Sequence, residues 1–201
     1  MSACDSRRGQ ILQAAEGLFR VHGPARTTMA EIAREVGLGV GTLYLEFPSK
    51  DAILEALSDR WHEAVLSAMR AAAEAPHGSH GARLQAVLDA RLAALLRLVD
   101  EGGHAPELVH CAAPSIVSAH ARFLGSERAL LEGLLREGHG ALEFDAPNPE
   151  LTALTLVRAY GSFSPPWVFK FPREDLDQAL AAMHRLVLRG LLHRRGLHFS
   201  P

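Results

Sequence analysis

The sequence contains little cysteine, with only Cys4 and Cys111 among its 201 residues. Because Cys4 lies in an N-terminus that we expect to fray, we expect no structural disulfide, which fits a reducing compartment. The sequence also lacks an apolar run long enough to span a membrane, and it lacks the apolar stretch of a secretory signal. We therefore predict a soluble, cytoplasmic protein with no membrane partner.

Neither charge is in marked excess, since 21 basic and 23 acidic residues give a formal net charge of −2. Composition alone therefore does not indicate nucleic-acid binding. The first fifty residues hold six basic and five acidic side chains, so their net charge is +1, a small bias the other way. The apolar fraction of 48% is that of a globular chain with a substantial core.

Alternating strand patterns are missing, and apolar residues recur with the helical period along most of the chain. Prolines and glycines mark the starts and ends of the segments. The pattern predicts an all-α protein of about nine helices, with a change from short to long helices near residue 48. The predicted helices cover 6–22, a segment from 28, a segment after 39, 49–73, 82–100, 106–112, 114–137, a segment from 149 to before 165, and 172–196.

Three glycines stand on alternate positions in residues 27–50, TTMAEIAREVGLGVGTLYLEFPSK. Thr28 and Glu31 have the spacing of a capping box, which predicts a helix start. Ala33 is small enough for a close helix crossing, Gly37 suits a left-handed turn, and Leu43 can pack into the seam. This spacing predicts a helix-turn-helix.

Residues 8–57 resemble the DNA-binding domain of the TetR (tetracycline-repressor-like) family of bacterial transcription regulators. The resemblance rests on ILQAAEGLF, on the 27–50 segment with its GTLY-x-x-FPSK core, and on DAILEAL. It implies a three-helix DNA-binding domain over 1–48, with Val40–Phe47 as recognition helix. It also implies a larger helical-bundle domain over 49–201 for ligand binding and dimerisation. The implied function is a repressor that binds a palindromic operator as a homodimer and is released by a small apolar or amphipathic ligand.

The resemblance also implies which side chains contact phosphates and bases. The residues are Arg26, Thr28, Val40, Gly41, Thr42, Tyr44 and Lys50. Four of them have a structural alternative, which is a tolerated glycine for Gly41, a core residue for Tyr44, and a solvated surface side chain for Thr42 and Lys50. Two departures from the family pattern stand beside them. Gly39 replaces a common serine or threonine, and Glu46 would repel phosphate unless it faces a cytosine amino group or solvent.

Apolar stripes on the later helices predict a ligand pocket and a dimer interface. The pocket residues are Trp61, Met69, Leu88, Leu92, His120 and Phe123, with solid core packing as the alternative. The interface residues are Leu151, Leu154, Leu176, Leu180, Met183 and Val187, on two helices that would form a four-helix seam with a second copy.

Catalytic motifs are missing from the sequence. The eleven histidines include no i,i+4 pair with an evident third ligand, which favours ordinary histidines over a metal sensor. We therefore predict neither enzymatic activity nor a metal or other cofactor. The remaining alternative to a regulator is a helical ligand-binding or interaction protein whose helix-turn-helix is only structural.

Overall fold

The computed structural model describes residues 6–100, 114–165, 167–169 and 171–192, and confirms an all-α fold. Eight α-helices and two short 3-10 helices lie in these ranges. The α-helices are α1 Arg7–His22, α2 Met29–Val36, α3 Val40–Glu46, α4 Lys50–Glu74, α5 His80–Asp100, α6 Pro114–Gly140, α7 Pro149–Ala159 and α8 Arg173–Leu191. The 3-10 helices are η1 Tyr160–Phe163 and η2 Trp167–Phe169.

Three of the observed helix ends differ from the predicted ones by more than one residue. Helix α5 begins at His80 rather than 82, because the Ser79 hydroxyl accepts a bond from the Ala82 amide at 3.1 Å and caps the helix. Helix α6 continues to Gly140. The described part of the last helix ends at Leu191, and the predicted helix over 106–112 lies outside the described residues.

Local capping sets the two ends of α2, which is the first helix of the helix-turn-helix. The Thr28 hydroxyl accepts from the Glu31 amide at 3.2 Å, and the Glu31 carboxylate accepts from the Thr28 amide at 2.8 Å, which confirms the capping box. These bonds to Thr28 lower the pKa of Glu31. Gly37 ends α2 with a φ of 72°, the left-handed conformation that glycine adopts without steric cost.

The chain divides into two compact units, which we call unit 1 and unit 2. Unit 1 contains residues 1–64 and 96–123, and unit 2 contains residues 65–95 and 124–201. The core of unit 1 is formed by apolar side chains of α1, α2, α3 and the first part of α4, with Ile116 from α6. Helix α3 is therefore held by the same core that holds the start of α4.

Unit 2 contains two polar networks, each centred on a buried side chain. In the first, Arg91 of α5 donates to the carboxylate of Glu127 on α6 and to the Ser164 hydroxyl at 2.7 Å. In the second, His184 of α8 lies between the Tyr160 hydroxyl at 2.7 Å and the Asp89 carboxylate at 2.8 Å. Burial raises the pKa of the Tyr160 hydroxyl. These networks connect α5 with α6, η1 and α8.

None of the described helices combines the length and the apolar character that a membrane span requires.

Candidate nucleic-acid interface

Helix α3 has only seven residues and depends on packing for its stability. Isolated helices shorter than about 12–15 residues are marginal in water. Within α3, Leu43 is the one buried residue, and it packs in the unit 1 core with Ala33 of α2 and with Phe47, which follows α3. The predicted Ala33–Gly37–Leu43 arrangement is therefore confirmed, and the opposite face of α3 is left to solvent.

The exposed face of α3 carries the side chains predicted to contact DNA. Val40 and Tyr44 are exposed, Tyr44 by 49% of its surface, so the alternative that Tyr44 is a core residue is wrong. An added Cβ at Gly41 meets no described atom of the chain within 4 Å. The packing of the protein therefore does not require glycine at this position. A side chain at position 41 would instead extend from the exposed face of α3 into the space that a closely bound ligand would occupy.

Lys50 is tied to the turn between α1 and α2. Its ammonium donates to the Pro24 carbonyl at 2.6 Å and to the Thr27 carbonyl at 3.0 Å. Thr27 is itself buried and donates from its hydroxyl to the Gly23 carbonyl at 2.9 Å. The alternative of an idle surface lysine is therefore wrong. An ammonium has three N–H groups, so these two bonds leave one donor for a phosphate.

Arg26 and Thr28 are exposed near this turn, and Thr42 is half-buried on α3. Thr28 lies at the N-terminus of α2, where the free amides and the helix dipole favour an anion. The structure thus places the predicted contact residues on the turn before α2, on α2, on α3 and at the first residue of α4, all within unit 1.

The first turn of α1 contacts the end of α3, which the sequence did not suggest. Arg8 donates to the Glu46 carbonyl at 2.6 Å, and its guanidinium carbon lies 4.0 Å from the centroid of the Phe47 ring. Arg7 lies 3.5 Å from the Glu46 carboxylate. Residues 40–46 include no basic side chain, so these arginines supply the positive charge that a helix C-terminus favours. The charge of Glu46 is therefore partly balanced within the protein.

Replacing Arg8 with alanine is expected to loosen the end of α3. A hydrogen bond from a charged donor contributes about 1.5–3 kcal/mol when shielded and less when exposed, so we expect the Phe47 amide to exchange about 5- to 10-fold faster. Amide hydrogen exchange followed by NMR measures this rate. Arg7→Ala is the matched control, because it removes the same charge from the same turn but no bond to the backbone. Equal acceleration in both variants would contradict a specific role for Arg8.

The six predicted pocket residues are divided between the units. Trp61, His120 and Phe123 belong to unit 1, and Met69, Leu88 and Leu92 are buried in unit 2. The Trp61 indole N–H donates to Glu16 of α1 at 3.1 Å.

His62, which the sequence analysis did not single out, stacks on the Phe123 ring in unit 1 with a centroid distance of 4.7 Å. Its centroid also lies 5.6 Å from that of His120. Burial, followed by the neighbouring His120, lowers the pKa of His62 to about 4, so His62 is neutral at physiological pH.

The predicted interface residues differ in their exposure. Leu151 is exposed by 57%, and Leu154, Met183 and Val187 are half-buried. Leu176 and Leu180 require a correction, because both are buried in the core of their own chain. Leu186 of α8, which was not predicted, is exposed by 71%.

Histidines in the described ranges take part in local bonds rather than in a metal site. His80 pairs with Glu143 at 2.9 Å, and His77 lies 2.7 Å from the Ala72 carbonyl. Across the described residues, no three histidine, cysteine, aspartate or glutamate side chains come together in a way that could hold a metal ion.

Comparison with known proteins agrees with this geometry. Residues 11–57 match the family model described as bacterial regulatory proteins, tetR family. The chain is 45% identical over 56 residues to the HTH-type transcriptional regulator TtgR of Pseudomonas putida, which is 28% of this chain and 27% of that protein. It is 43% identical over 63 residues to the nucleoid occlusion factor SlmA of Aliivibrio fischeri, 31% of this chain and 32% of that protein. The chain thus spans about a third or less of the length of these curated relatives.

The fold is shared over a much longer stretch. A crystal structure of a transcriptional regulator of the TetR/AcrR family from Thermobifida fusca matches with a TM-score of 0.69 and 26% identity. That match covers 92% of this chain and 97% of the other. These two sequence matches therefore cover about a third of the chain or less, whereas the fold match covers most of it.

Proposed function

We propose that this chain is a member of the TetR family of bacterial regulatory proteins and that it represses transcription by binding a palindromic operator as a homodimer. The family is non-enzymatic, which agrees with the absence of catalytic motifs from the sequence. We assign DNA binding to residues 1–48, and dimerisation and ligand control to residues 49–201. A cytoplasmic location follows from this function.

One observation carries the proposal: α3 exposes Val40, Gly41 and Tyr44 on the side away from the core. The packing of the chain does not require glycine at position 41. Tyr44 is 49% exposed, which favours a role at a contact surface over a role in the core. In the proposed complex α3 lies in the major groove, with Thr42 reading a base edge and the N-terminus of α2 at a phosphate.

Dimerisation follows from the need for specificity. One seven-residue recognition helix contacts few base pairs, whereas two copies about 34–36 Å apart, or somewhat more, read both halves of a palindrome. Helices α7 and α8 expose Leu151 and Leu186 and leave Leu154, Met183 and Val187 half-buried, which supports a seam with a second copy.

A small apolar or amphipathic ligand is proposed to release the operator. The proposed contacts in unit 1 are Trp61, His120 and Phe123, and those in unit 2 are the buried Met69, Leu88 and Leu92. A ligand that binds more tightly to one arrangement of the two DNA-binding domains than to another changes operator affinity by the ratio of its two affinities. A coupling free energy of about 1–3 kcal/mol corresponds to a change of about 5- to 150-fold.

The proposal is tested by a mobility-shift titration on the DNA upstream of the protein's own gene, repeated at several salt concentrations. We expect specific binding that weakens steeply with salt, because phosphate contacts release counterions. Lys50→Ala should weaken binding to every sequence and reduce the salt slope by about one, whereas Thr42→Ala should change the sequence preference.

The salt slope separates two roles of Lys50. A loss of affinity with an unchanged slope would show that Lys50 only holds the Pro24–Thr27 turn, and the phosphate contact would then be wrong. If the wild-type protein binds no upstream fragment in preference to unrelated DNA, the helix-turn-helix is structural and the chain is a helical ligand-binding or interaction protein.

A further inference from the structure

Leu45 is the most exposed large apolar side chain among the described residues, with 88% of its surface open to solvent. It lies in α3, between Tyr44 and Glu46. Successive residues of an α-helix are rotated by about 100°, so Leu45 points about 160° away from Leu43, the one buried residue of α3. Leu45 therefore lies outside the core of unit 1, near the middle of the exposed face of α3.

Glycine at position 41 leaves the space beside Leu45 open. Residues four apart lie one turn apart on the same side of a helix, and side chains lean toward the helix N-terminus, so the Leu45 side chain lies over position 41. An added Cβ at Gly41 meets no described atom within 4 Å. Because position 41 has no side chain, a partner can approach α3 closely, and this approach brings Leu45 into contact with it.

The other side chains of α3 limit what this face can recognise on DNA. Residues 40–46 contain no arginine, lysine, asparagine or glutamine, which are the side chains that pair with guanine or adenine through two hydrogen bonds. Glu46 could accept from a cytosine amino group, but its side chain is only 26% exposed and lies 3.5 Å from Arg7. The C5 methyl group of thymine is the apolar feature of the major groove, and it is the feature that a leucine can contact.

We propose that Leu45 contacts the C5 methyl group of a thymine in each half of the operator, and that this contact selects thymine at that position. The inference rests on the proposed function and deepens it, because it names the chemical feature of the DNA that α3 recognises. Contact with a methyl group removes apolar surface of both partners from water, so we expect each methyl group to raise affinity about 3- to 5-fold. Cytosine lacks this methyl group and presents a polar amino group in the groove instead.

The test uses two forms of the DNA fragment upstream of the protein's own gene, amplified with either dTTP or dUTP from matching primers. The two forms have the same sequence of base pairs and the same phosphates, but the uracil form lacks the C5 methyl groups. In mobility-shift titrations we expect the wild-type protein to bind the uracil form about 10- to 25-fold more weakly, because each of two half-sites loses one contact.

Variants at position 45 connect this loss to Leu45. Leu45→Ala should bind the thymine form as weakly as the wild-type protein binds the uracil form, and its affinities for the two forms should agree within about 2-fold. Leu45→Met keeps an apolar side chain of similar length and should keep most of the difference between the forms.

Leu142→Ala is the matched control, because Leu142 is exposed by 76% but lies in unit 2, after α6. It should lose as much affinity for the uracil form as the wild-type protein does. The thermal midpoint of Leu45→Ala should stay within a few degrees of the wild-type value, since Leu45 lies outside the core. This measurement separates loss of the contact from loss of folding.

The proposal is overturned if the wild-type protein binds the two forms equally. It is also overturned if Leu45→Ala keeps the full difference between them, because the methyl groups would then act through another side chain or through the shape of the DNA. Either result, obtained together with specific binding of the thymine form, leaves the proposed function standing. If neither form is bound in preference to unrelated DNA, the proposed function is wrong, and the contact at Leu45 is wrong with it.

Discussion

Replacing Glu127 with leucine is expected to lower the free energy of unfolding by about 3–5 kcal/mol. Arg91 and Glu127 are both almost fully buried in unit 2, and they form an ion pair. Removing the carboxylate leaves a guanidinium in the core whose remaining bonds, among the described residues, go to the Ser164 hydroxyl and, at 3.5 Å, to the Phe163 carbonyl. A buried charge without a counter-charge is costly, because the interior solvates it far less well than water does. Urea denaturation followed by circular dichroism, at a fixed protein concentration, measures the loss.

The matched control for this prediction is the double variant Arg91→Met with Glu127→Leu. Replacing a whole buried ion pair with apolar side chains of similar volume is often close to neutral, so the double variant should recover most of the lost stability. Recovery is favoured further because one oxygen of Glu127 has no hydrogen-bond partner in the described part of the chain. A double variant as unstable as Glu127→Leu alone would show that the polar network, rather than the balance of charge, holds α5 to α6.

Introducing glutamate at both Leu151 and Leu186 is expected to convert the proposed homodimer to a monomer and to lower its proposed operator affinity by about 10²- to 10⁴-fold. Two linked DNA-binding domains have an overall affinity that is higher than that of a single domain by about this factor, because binding of the second domain becomes intramolecular. Both leucines are exposed in the single chain, so the substitutions should cost little stability in the monomer. Four like charges brought into one apolar seam oppose its formation.

Sedimentation velocity at micromolar concentration and the mobility-shift titration measure the two effects. Val117→Glu is the control, because Val117 is also an exposed apolar residue but lies on α6 in unit 1. It should leave both the dimer and operator affinity unchanged. A double variant that still sediments as a dimer would show that α7 and α8 do not form the seam.

The sequence predicted those features of the fold that depend on residues close together in the chain. The Thr28–Glu31 capping box and the left-handed Gly37 follow from side chains and backbone angles within one turn. The seam residue Leu43 follows from the short spacing that two crossing helices require. Such local rules need no knowledge of the rest of the molecule.

Contacts between distant residues were not predicted. The bond from Arg8 to Glu46 joins residues 38 apart, and no helical period relates them. Leu176 and Leu180 show a different limit, because an apolar stripe does not say whether it faces the core of its own chain or a partner.

The buried ion pair had a signal in the sequence that was not used. Arg91 lies three residues after Leu88, and Glu127 lies midway between Phe123 and Leu131, so each charge interrupts an apolar stripe.

Gly41 has a consequence for how this surface changes through evolution or in the laboratory. Since no described atom lies within 4 Å of an added Cβ at this position, we expect most substitutions there to leave folding intact. In the proposed complex, selection on position 41 then acts on DNA binding alone, separate from selection on stability that constrains a neighbour such as Leu43. On the proposed function, a change in a single codon at position 41 can therefore alter the choice of target genes without passing through a sequence that does not fold.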